Sequence, residues 1–134
     1  MFFSLGGNRD THSGAPIDAV AGALDAVVDV DAAITALVSE RFRAVMLWRE
    51  QMCESAANDG WATSEMVARS MRLELAAALR ITEYSAAVMI AQAEALQDRY
   101  PLAGAALRDS RITERHAIVL VELLDTLSSE LRAG

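Results

Sequence analysis

Residues able to do chemistry are scarce in this chain. Two histidines, His12 and His116, and one cysteine, Cys53, are all it has of those types. A zinc centre needs several thiolates or imidazoles converging on one ion, and a single cysteine cannot close an internal disulfide. Cys53 falls inside a predicted helix, where a buried and inert thiol is expected. His12 belongs to a polar leader, and His116 stands at the edge of a helical stripe, the place of a structural histidine. A phosphate-binding loop of the Walker type requires a lysine, and all twelve basic residues here are arginine. No paired-histidine metalloprotease motif and no Gly-x-Ser-x-Gly elbow is present. Asp25, Asp29 and Asp31 form a sparse acidic group without the glycine or terminal glutamate of a calcium loop, so helix-end capping is their expected role. These residues point to no catalytic, cofactor-binding or metal-binding position, to no cofactor, and to no small-molecule substrate.

The groups left to consider are arginines. Arg69, Arg72 and Arg80, then Arg108, Arg111 and Arg115, are candidate phosphate contacts. They are interleaved with Glu65, Glu74, Glu83 and Asp109, the pattern of a salt-bridged helix surface. The net charge of −7 opposes bulk attraction to nucleic acid. The acid is uneven, however: residues 1–60 hold nine Asp and Glu against four Arg, and residues 61–134 hold ten against eight. A local basic face in the second half stays open. Glu74–Ala86 also has the phase of a helix-turn-helix reader, with Leu75, Ala76, Leu79, Ile81, Ala86 and Met89 packing inward. Arg80 occupies the turn position that favours glycine. The outward residues of the second helix, Glu83, Tyr84, Ala87, Val88 and Ala91, offer almost nothing to base edges.

The elements that must position these residues are helical. Hydrophobic residues make up 53% of the chain and aromatics 5%, so the core is aliphatic, and two prolines with seven glycines are too few for an all-β fold. An all-α bundle of about five or six helices is predicted, with residues 1–15 a mobile tail and 16–134 one helical domain. Pro16 opens a helix with Ile17, Val20, Ala21, Leu24 and Val28 on one face, ending at Asp29–Asp31. A long second helix reaches about Ala57 with Ile34, Leu37, Val38, Phe42, Val45, Trp48, Met52 and Ala56 as its stripe, and Gly60 supplies a left-handed stop. The third, to about Arg80, turns Val67, Met71, Leu75, Ala78 and Leu79 inward. The fourth, capped by Thr82, carries Ala86, Met89, Ile90, Ala93, Leu96 and Tyr100 up to Pro101. A short helix spans Leu102–Arg108, and Thr113 caps the last, to about Leu131. The most apolar run, Ala117–Leu124, is too short to cross a bilayer, and the chain opens without a signal-peptide pattern, so a cytoplasmic protein is expected.

An internal echo links two of these helices. Thr82-Glu83-Tyr84-Ser85-Ala86 returns 31 residues later as Thr113-Glu114-Arg115-His116-Ala117, with the apolar stripes in register behind it. This suggests two similar capped helix-turn-helix units on one core. The last helix differs in also carrying Ile118, Val119 and Leu123 beyond its main stripe. It is apolar nearly all round and calls for cover on more than one side.

Three segments, Leu73–Glu83, Ala93-Glu94-Ala95-Leu96 with Tyr100-Pro101-Leu102, and Ala105–Ala117, together resemble the actinobacterial domain of unknown function 222, found in the mycobacterial 13E12 repeat proteins. The resemblance spans roughly residues 17–134 and is strongest over 65–131. In that family the helical region stands ahead of an HNH nuclease domain, which implies DNA-related work and association with mobile or repeated genes. An HNH centre needs a ββα finger with paired histidines, which this sequence does not supply, so the resemblance carries over no nuclease activity and no catalytic residue. The expectation is a truncated or stand-alone helical module acting through protein association. Its surface would be Ile118, Val119 and Leu123 of the last helix, and its partner a protein or a second copy of the chain. The alternative is a small helix-turn-helix DNA-binding protein using the two arginine groups.

Overall fold

The computed structural model describes the backbone of residues 5–60 and 63–133, and the side chains of residues 19–60 and 63–132. The start of the expected tail, residues 1–4, and the His12 side chain lie outside the described residues. Among the described residues five α-helices follow one another: α1 (Leu5–Asp59), α2 (Ser64–Leu79), α3 (Glu83–Glu94), α4 (Pro101–Arg108) and α5 (Glu114–Ala133), with a π-helical turn over Ala95–Arg99. No strand occurs among the described residues, and the fold is all-α as the composition predicts. Two units segregate, Met1–Ile34 and Thr35–Gly134.

The predicted break at Asp29–Asp31 does not occur: α1 passes through it. No glycine or proline interrupts residues 23–58, and an aspartate in a helix interior costs only about 0.7 kcal/mol relative to alanine. The stop at Gly60 is where the sequence places it, with φ of 70° and its N–H bonded to the Ala56 carbonyl at 3.0 Å.

The core belongs to the second unit. Val38, Phe42, Val45 and Met46 from α1 meet Ala93, Ala95 and Leu96, Ala103 and Leu107 from α4, and Ala117 and Val121 from α5. The alanines are fully buried at Ala86, Ala93, Ala95 and Ala117, and their small side chains let the helices approach closely. α2 turns Val67, Met71 and Leu75 inward. Leu79 was expected beside them but is 45% exposed, since it is the last residue before the turn.

The two echoed segments share local geometry. Thr82 Oγ1 accepts the Ser85 N–H at 3.0 Å, and Thr113 Oγ1 accepts the His116 N–H at 3.2 Å. Both are N-caps that satisfy an otherwise orphaned helix donor. His116 answers with its Nδ1, which accepts the Thr113 N–H at 3.4 Å, in the manner of a capping box. Each cap is preceded by a left-handed residue, Arg80 at φ 57° and Ser110 at φ 58°.

Between α3 and α4 the π turn carries the chain to Pro101, which has no N–H to continue a helix and serves as the first residue of α4. The Tyr100 N–H closes the wide turn on the Ala95 carbonyl at 2.8 Å. Here the backbones nearly touch: a Cβ on Gly104 would overlap the Leu96 carbonyl oxygen and lie 3.3 Å from its carbon. Glycine is required at this position by the close approach.

Candidate functional site

The candidate arginines fall on α2 and its cap, on the end of α4 and the turn after it, and on α5. Arg69 and Arg72 lie on α2, and Arg80 caps it in the left-handed conformation with ψ of 43°. Arg108 and Arg111 both turn to Asp109, at 3.6 and 3.8 Å, and Arg115 is exposed on the first turn of α5. Exposed pairs of this kind contribute at most about 1 kcal/mol, but they partly neutralise the second group. The outward side of α3 keeps the composition read from sequence, with Tyr84 79% exposed and no cation on the helix.

The last helix shows which apolar residues lack cover. Ala117 and Val121 are buried, while Val119 is 47%, Leu123 57%, Leu127 53% and Leu131 81% exposed. Leu127 and Leu131 were expected in the buried stripe. They lie toward the end of the helix, past Asp125, where Tyr100 and Arg99 reach α5. Ile118 leaves the expected association surface: it is half-buried and lines a groove with α1 and α3. The exposed set of α5 is therefore Val119, Leu123, Leu127 and Leu131, spaced four residues apart along one side of a helix.

A second uncovered set lies in the first unit. Val20, Leu24, Val27, Val28, Val30 and Ile34 are each more than half exposed. Ile34, and Leu37 just beyond it, were expected in the core, but are 54% and 68% exposed. The sequence repeats itself here: Val20, Leu24, Val27 and Val28 return as Val38, Phe42, Val45 and Met46, of which only the later four are buried. The interval of 18 residues is five turns of an α-helix. Covering a side chain of this size contributes about 1.5–3 kcal/mol, so a set like this invites association.

A groove of about 220 Å³ opens between α1, α3 and α5. Phe42 comes from α1, Val88 and Met89 from α3, and Ile118 from α5, with Tyr84 at the mouth. One rim is tied by Arg41 and Glu114, whose Nη2 and Oε2 lie 2.8 Å apart and join α1 to α5. Arg41 also stacks over the Phe42 ring, 5.6 Å from its centroid. The one polar group buried in the wall is Gln92, only 8% exposed, and its Oε1 has no hydrogen-bond partner among the described residues. Leaving such an acceptor unpaired costs on the order of 1–3 kcal/mol. Sequence reasoning missed Gln92. The signal was present, because it stands three residues after Met89 and four before Leu96, within the inward stripe of α3.

A polar cluster fastens the π turn to α5. The Tyr100 hydroxyl donates to Asp125 Oδ1, and Arg99 Nη2 lies 3.2 Å from Oδ2. The Tyr100 hydroxyl first, and Arg99 after it, hold the Asp125 carboxyl below the usual carboxylate range. The arrangement is a lock between elements. Cys53, expected to be buried, is exposed. Its neighbours Met52 and Ala56 face Met66 and Val67 of α2, and a residue one position along the helix points about 100° away. Among the described residues no group of three His, Cys, Asp or Glu could hold a metal ion, and no helix is long and apolar enough to cross a membrane.

Capped helices packed through alanines, with apolar stripes exposed, make up an all-helical domain. The sequence pattern of a domain of unknown function, DUF222, matches residues 22–133, and the chain belongs to that family. No match was found among curated proteins or among solved structures.

Proposed function

We propose that this chain is a non-catalytic helical module that works by protein association, through the exposed apolar residues of α5. The observation that carries this reading is the row Val119, Leu123, Leu127 and Leu131, left between 47% and 81% exposed on a helix whose other side is core. Water contact on such a row is unfavourable, and the simplest cover is the same row on a second copy, related by a two-fold axis. The resemblance to the 13E12 repeat proteins supports placing the module in a family whose helical region precedes an HNH nuclease domain, with the module as scaffold rather than catalyst. Light scattering across a concentration series tests the association. The expected result is a mass rising above that of the 14.4 kDa monomer, with Leu123→Glu holding the chain monomeric. A wild-type monomer at high concentration would overturn the reading.

A further inference from the structure

The exposed row of α5 is electrically polar along its length. Its four-residue spacing continues upstream from Val119 to Arg115, and Glu130 stands seven residues after Leu123, on the same side of the helix. Both charges are exposed, and neither makes an ion pair among the described residues. Each also sits at the unfavourable end of its own helix, whose N-terminus favours acid and whose C-terminus favours base. The favourably placed charges of α5, Glu114 and Arg132, serve other contacts. Glu114 reaches Arg41 of α1 at 2.8 Å, and Arg132 Nε donates to the Ser128 carbonyl at 3.2 Å. The row therefore has a cation at one end and an anion at the other, 15 residues and about 22 Å apart. An antiparallel neighbouring helix is what makes both placements favourable.

We propose that the second copy covering this row runs antiparallel to the first, crossing at Leu123, with Arg115 of each copy set beside Glu130 of the other. This rests on the α5 association proposed above and names its orientation. In that register Val119 meets Leu127 of the second copy, and the aliphatic stem of Arg115 lies along Leu131. The macrodipoles of the two helices oppose each other. Arg115 then sits at the C-terminus of the neighbouring helix and Glu130 at its N-terminus, where each is favourable. A parallel pairing would instead bring Arg115 against Arg115 and Glu130 against Glu130. Glu122 meets its own copy near the axis of the antiparallel pair, a like-charge contact set against two equivalent pairs of opposite charge.

Charge reversal on the full chain tests this, with dimer dissociation constants measured by sedimentation equilibrium. Arg115→Glu and Glu130→Arg should each weaken dimerisation, roughly three- to thirtyfold for two exposed pairs. An equimolar mixture of the two variants should restore wild-type affinity, because each copy then supplies the charge the other needs. The double variant Arg115→Glu/Glu130→Arg should do the same. Both substitutions agree with the dipole of α5, so neither weakens the helix itself, and an unchanged far-ultraviolet circular dichroism spectrum verifies that. Net charge alone predicts opposite shifts, since Arg115→Glu makes the chain more acidic and Glu130→Arg makes it less so. The inference is overturned if the two variants shift the constant in opposite directions or leave it unchanged, or if the mixture fails to restore it. In that event a wild type that associates, and that Leu123→Glu makes monomeric, still upholds association through α5. A wild-type monomer overturns both.

Discussion

Replacing Gly104 with alanine probes the closest approach in the fold. In an ordinary helix interior Gly→Ala stabilises by about 0.5–1 kcal/mol, because glycine loses more chain entropy on folding. At Gly104 the added Cβ would run into the Leu96 carbonyl oxygen, with the carbonyl carbon at 3.3 Å. The obstacle is backbone of the π turn, closed by the Tyr100–Ala95 bond at 2.8 Å, and no side chain can rotate out of the way. Overpacking of this kind costs typically 1–3 kcal/mol. Set against the propensity gain, the net loss is up to about 2.5 kcal/mol, which lowers the melting temperature by up to about 10 °C. Gly22→Ala is the control, since nothing lies within 4 Å of a Cβ built there; it should raise helicity and stability slightly. Thermal and urea unfolding followed by far-ultraviolet circular dichroism read both. If Gly104→Ala stabilised the chain as Gly22→Ala does, the contact between α4 and the π turn would not exist as described.

Three further outcomes are expected. Arg80→Gly should stabilise by up to about 1 kcal/mol in urea unfolding, because the left-handed φ of 57° is unfavourable for any residue with a Cβ. The carboxyl of Asp125 is lowered in the folded state, chiefly by the Tyr100 hydroxyl. Its stabilisation is therefore fully present above the unfolded value of about 3.9 and lost as pH falls below it. Asp125→Asn should accordingly be less stable than wild type at neutral pH, with the gap closing in melts at successively lower pH below about 4. In a gel-shift series at low salt the chain should not retard duplex DNA, given its charge of −7 and the shared Asp109 partner of Arg108 and Arg111. A salt-sensitive shift lost in Arg69→Ala/Arg72→Ala would instead favour a DNA-binding protein.

Local signals were legible wherever a side chain acts on its own backbone. Thr82, Thr113, Gly60 and Pro101 mark their helix ends in sequence, and each does so in the fold. Periodicity gives the inward phase of a helix but not how far its neighbours extend along it. That is why Ile34, Leu37, Leu127 and Leu131, in phase with buried residues, stand exposed. The junction at Asp29–Asp31 was misplaced because aspartate is a weak breaker that an unbroken apolar phase overrides. Gln92 shows the opposite failure, a polar residue on an inward face whose significance depends on three helices that sequence does not bring together.

Amide hydrogen exchange measured at several protein concentrations tests the central claim most directly. If association covers the α5 row, amides of residues 119–131 should become more protected as concentration rises, while the buried segment around Ala93 and Leu96 stays unchanged. Protection in α5 that is independent of concentration, together with a monomeric mass, would contradict it.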